Sequence, residues 1–80
     1  MKHARADYDR IQDPAGLIPK DEPVFLMRAQ DKHFDRVLRF YRDLVAIDNG
    51  DKKIIDACNE HLDRASQWPK CKAPDMPDPQ

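Results

Sequence analysis

From Asp31 onward the apolar positions of the chain recur at helical spacing. Counted at about 100° per residue from Phe34, the side chains of Phe34, Val37, Leu38, Tyr41, Leu44 and Val45 gather on one side. Lys32, Asp35, Arg36, Arg39, Arg42 and Asp43 take the other. Asp31 suits an N-cap, because its carboxylate can accept from the free backbone donors of a first turn. After Ile47 come Asp48, Asn49 and Gly50, and Asn or Gly favours the left-handed backbone that closes a helix. The pattern predicts a first helix over about 31–47.

A second periodic stretch begins at once. Asp51 can cap it, and Ile54, Ile55, Cys58, His61, Leu62, Ala65 and Trp68 share a face. Lys52, Lys53, Asp56, Asn59, Glu60, Asp63 and Gln67 fill the opposite one. Pro69 cannot continue a helix, so the second helix is predicted over about 51–68. Two amphipathic helices with a short connection pack as antiparallel neighbours. The predicted core sets Phe34, Leu38, Tyr41 and Val45 against Ile54, Cys58, His61, Leu62 and Ala65.

The first helix is apolar over too wide an arc for that role alone. Phe40 and Ile47 lie beside Leu44 and extend its apolar sector to about half the circumference. One helical partner covers a narrower stripe. Phe40, Leu44 and Ile47 therefore need a second surface, either the N-terminal segment or another subunit.

That segment reads as an arm. Asp13-Pro14-Ala15-Gly16 fits a type I turn, with Asp first, Pro second and Gly last. Leu17 and Ile18 are expected to anchor the arm on the hairpin, and residues 1–7 to fray. Val24, Phe25, Leu26 and Met27 form an apolar run after Pro23. Over about 23–28 the run is either a short strand or a helical turn opened by Pro23. A strand would need a partner for its backbone, from Tyr8 to Gln12 or from a second copy. The fold class is thus mainly α: an antiparallel helical hairpin with such an arm. Residues 1–68 read as one small domain. Residues 69–80 hold Pro69, Pro74, Pro77 and Pro79 without apolar periodicity and read as a disordered tail.

Size and charge narrow the functions. A folding unit of roughly 60 to 70 residues is marginal alone, which favours self-association. The 80-residue chain carries 14 basic and 15 acidic residues, well interspersed. A nucleic-acid binder concentrates its cations on one face, so nucleic acid is not the expected partner. No apolar run approaches the roughly 20 residues of a membrane span, and no signal-peptide core is visible. Two cysteines make no disulfide framework. A soluble, cytoplasmic protein is expected.

Candidate chemistry is sparse. Cys58, His61 and Cys71 are possible zinc ligands, but a fourth ligand and a paired spacing are missing. Cys58 suits a small core residue better. Asp7, Asp9, Asp13 and Asp21 lack the spacing of a calcium loop. With Gly16 and Gly50 the only glycines, there is no phosphate-cradling loop and no nucleophile elbow. The expectation is a non-enzymatic protein with no metal and no cofactor. Arg28, Arg36 and Arg39 are the candidate contacts for an anionic ligand. Val24, Phe25, Leu26, Met27, Phe40, Leu44 and Ile47 are the candidate surface for self-association or a protein partner.

The run from Ile18 to Asp31, the helix holding Val37, Arg39, Tyr41 and Leu44, and Trp68-Pro69 together resemble short uncharacterised proteins of bacteriophages and bacterial mobile elements. The resemblance spans about residues 8–69. It implies a small soluble accessory protein of the bacterial cytoplasm, and lends no functional residues. The sequence therefore points to a protein-interaction module that homodimerises and binds a host or phage protein. The alternative is a small-ligand or nucleotide binder with its site between subunits, built on Arg28, Arg36 and Arg39.

Overall fold

The computed structural model describes residues 13–76. The expected fraying of residues 1–7, the strand partner at 8–12 and the end of the tail at 77–80 lie outside the described residues. The described chain divides into two compact units at Met27–Arg28. One unit holds 13–27 with Asp75 and Met76, and the other is Arg28–Pro74.

The larger unit is the helical hairpin. Helix α1 spans Phe34–Ile47 and helix α2 spans Lys52–Ser66. No strand occurs among the described residues. The link between the helices has a local chemical cause. Asn49 takes the left-handed backbone at φ 54°. Its N–H donates to the Ala46 carbonyl at 3.1 Å, and the Gly50 N–H donates to the Val45 carbonyl at 2.8 Å. These paired bonds close α1 as a Schellman motif. Asp51 then caps α2, its carboxylate accepting from the Lys53 N–H at 2.8 Å.

The start of α1 differs from the expectation. Its N-cap is His33, which makes no side-chain capping bond. Asp31 Oδ1 accepts from the His33 N–H at 2.8 Å, and the Asp31 carbonyl from the Phe34 N–H at 3.0 Å. Asp31 thus closes a turn ahead of the helix. Asp31 also forms a parallel bridge with Lys72. The Lys72 N–H donates to the Gln30 carbonyl at 2.7 Å, and the Lys32 N–H to the Lys72 carbonyl at 2.9 Å. Helix α1 begins only after the Asp31 turn, at Phe34. The Lys72 end of the bridge lies beyond Pro69, within the proline-rich segment. Ordered chain continues past Pro69, because backbone bonds to a free edge need no apolar periodicity. Gln30, whose carbonyl receives the tail, is the buried polar residue of the described chain.

Helix α2 ends at Ser66, two residues short of Trp68. Gln67 and Trp68 donate to Arg64 and Ala65, both at 3.1 Å, three residues back rather than four. Pro69 disfavours helical backbone at the residue before it, and the last turn tightens accordingly.

The core is small. Cys58 and Leu62, each 5% exposed, are its buried apolar residues. Phe34, Leu38 and Val45 of α1 and Ile55 and Ala65 of α2 are half-buried. Tyr41, Ile54 and His61, expected in the core, are exposed, and Arg42 is half-buried instead. The packed sector of each helix is therefore turned by a few tens of degrees from the expected one. On α1, the apolar arc is wide enough to permit this.

In the arm, the Asp13–Gly16 turn forms as expected. The Gly16 N–H donates to the Asp13 carbonyl at 3.0 Å, and Gly16 is left-handed at φ 62°. The Asp13 carboxylate also accepts from the N–H groups of Leu17 and Ile18, both at 3.1 Å. Leu17 is exposed, so it is no anchor, whereas Ile18 is half-buried. Over 23–28 the chain is neither a strand nor a helical turn, and only Val24 holds a bridge position. Turns at Pro19–Glu22 and Arg28–Asp31 bound the stretch.

Candidate interaction surface

The packing of α1 on α2 uses about a quarter of the α1 circumference, from Phe34 through Val45 and Leu38 to Arg42. Arg42 marks one edge. Its Nη1 donates to Asn59 Oδ1 on α2 at 2.9 Å, while Nε and Nη2 donate to Asp43 Oδ1 at 3.2 and 3.1 Å. The guanidinium thereby ties the two helices at the rim.

The rest of the apolar arc of α1 faces outward. Phe40 is 67% and Ile47 74% exposed, and Val37, Tyr41 and Leu44 are each about half exposed. These five side chains expose an apolar area on the order of 500 Å², the size at which a patch on a small protein marks an interaction site. Phe40, Leu44 and Ile47 were legible as excess apolar arc. Val37 and Tyr41 join them only because the hairpin packs on the other sector. The outer face of α2 differs: it is polar, with Arg64 Nη2 bound to Glu60 Oε1 at 2.7 Å.

The Val24–Met27 run belongs to the N-terminal unit, where Val24, Leu26 and Met27 are half-buried and Phe25 is exposed.

The candidate arginines have different fates. Arg39 Nε donates to Asp35 Oδ2 at 2.7 Å, one helical turn back. That bond holds the Asp35 carboxyl below the usual carboxylate range and raises Arg39 in turn. Arg28 and Arg36 are exposed. Of the three, Arg39 already has a carboxylate partner.

The metal candidates are separated in character. Cys58 is buried, Cys71 is exposed, and His61 Nδ1 donates to the Ala57 carbonyl of its own helix at 2.8 Å. No group of three or more His, Cys, Asp or Glu among the described residues is arranged to hold a metal ion. No helix there is long and apolar enough to cross a membrane. What the outer face of α1 offers is water exclusion against an apolar complement. Comparison with known proteins returns no match to a family model, to a curated protein or to a solved structure.

Proposed function

We propose that the chain is a small non-enzymatic protein-interaction module, an accessory protein of the bacteriophage or mobile-element kind acting in the bacterial cytoplasm. Its docking surface is the outer face of α1, and its first partner is a second copy of itself. The dimer then engages a host or phage protein. The observation that carries this reading is the exposure of Phe40 and Ile47 on one face of a helix whose other face is already packed. Large apolar side chains in one contiguous stripe favour protein contact over solvation. Interspersed charge supports a protein partner over nucleic acid. The alternative, an anionic-ligand site between subunits on Arg28, Arg36 and Arg39, has less support, because Arg39 is engaged by Asp35.

Two differently tagged copies co-expressed in bacteria test the reading. Capture of one should retain the other and a further protein, and Phe40→Asp should lose both. Retention of a nucleotide by wild type and variant alike, with no protein, would favour the alternative.

A further inference from the structure

The outward residues of α1 carry more information than their exposure. Val37, Phe40, Leu44 and Ile47 are spaced three, four and three apart. Alternation of three and four is the spacing at which one helix meshes with another, whereas a strand repeats every two residues. This series also reads the same in both directions. We infer that the outer face of α1 takes α1 of a second copy, antiparallel, across a two-fold axis level with Arg42. Phe40 then packs on Leu44 of the second copy, and Val37 on its Ile47. The inference rests on the proposed docking role of this face and adds its occupant's orientation and register.

Two features favour antiparallel over parallel. The first is volume. Antiparallel layers pair Phe with Leu and Val with Ile, so all four have similar width. A parallel pair sets Phe40 on Phe40 and Val37 on Val37, and straight helices cannot keep one separation across such unequal layers. The second is charge. By helical count, Arg36 and Asp43 lie along one edge of the stripe, and Tyr41 and Asp48 along the other. A two-fold antiparallel pair brings the first edge against itself and sets Asp43 against Asp43 once, beside the axis. The central Asp43 of each copy is already held by its own Arg42 at 3.1 Å. A parallel pair sets Asp43 against Asp48 twice and Arg36 against Tyr41, and such edge contacts decide helix orientation.

The contact would bury on the order of 1,000 Å² in total, the low end for a specific interface. Weak, concentration-dependent association is expected. The test uses disulfide trapping in a Cys71→Ser background, since Cys71 is the exposed thiol and Cys58 is buried. Val37→Cys and Ile47→Cys chains carrying different tags are mixed and oxidised, alongside sedimentation of the unmodified chain. Two copies of position 47 in an antiparallel pair stand about 15 Å apart along the axis, beyond disulfide reach. The mixed disulfide should therefore predominate over either homodisulfide by several-fold. A sedimenting dimer that forms only homodisulfides, or none, would overturn the antiparallel seam and leave the docking role standing. A monomer at all concentrations would overturn both.

Discussion

Arg42 on α1 donates to Asn59 on α2 across the hairpin at 2.9 Å, with the Arg42 side chain 24% exposed. Its stem lies along the rim of the core and its head stays wet, as long cationic side chains commonly do. This contact helps to settle which sector of α1 turns inward. With Arg42 at the edge, Phe34, Leu38 and Val45 face α2, and Phe40, Leu44 and Ile47 are left outside.

Asn59→Ala removes the acceptor but leaves Arg42 able to reach water and Asp43. The expected loss is about 1 kcal/mol in denaturant unfolding, in the range of a partly exposed hydrogen bond. No measurable loss would mean that the contact does not orient the helices.

Gly50 is required by space rather than by its φ angle. A β-carbon there would stand 2.6 Å from Val45 Cγ1 and 3.0 Å from the Val45 carbonyl oxygen. Gly50→Ala should cost roughly 1–3 kcal/mol, as overpacking does. Val45→Ala should recover part of that loss in the double variant, because one of the two clashes is with its methyl. Strictly additive losses would contradict this.

The tail segment is structural. Cutting the chain after Pro69 leaves the buried Gln30 carbonyl without the Lys72 donor. The two backbone hydrogen bonds to Lys72 are worth about 0.5–1.5 kcal/mol each. Lys72→Pro, which removes that donor together with the Lys72 side chain, should lower the unfolding midpoint at least as much. An unchanged midpoint in both would show the bridge to be dispensable.

Asp35 has a pH signature. Its folded-state value is lowered by the Arg39 bond. The stability it contributes is fully present above the ordinary unfolded value of about 3.9 and is lost as pH falls through the lowered folded value. Both side chains are more than half exposed, so the contribution to stability is small. Carboxyl NMR titration should place Asp35 below the ordinary value, and Arg39→Gln should return it there. An unshifted Asp35 in the parent chain would contradict the bond.

Much of the hairpin is legible in one dimension. The cap at Asp51, the left-handed turn at Asn49 and the apolar face of α2 follow from local rules that involve few residues at a time. Other features depend on distant partners. Asp31 looks like an N-cap, and nothing local announces its bridge to Lys72, far along the chain. A single bridge leaves no periodic trace in a proline-rich stretch. The inward sector of α1 was ambiguous for a different reason. Its apolar arc exceeds what α2 covers, so helical counting identifies a surplus without saying which side chains supply it. That is why Tyr41 was placed inside and Arg42 outside, and why Val37 was missed as part of the outer stripe. For the same reason Phe40, Leu44 and Ile47 could be named together beforehand.

Sedimentation equilibrium of the wild-type chain and of Phe40→Asp, from tens to hundreds of micromolar, tests the claim that this outer face is a docking surface. The wild-type mass should rise with concentration from the 9.3 kDa chain toward twice that value. Phe40→Asp, with its helical circular dichroism unchanged, should stay at the single-chain mass. A wild-type chain that sediments as a compact monomer throughout would contradict the account.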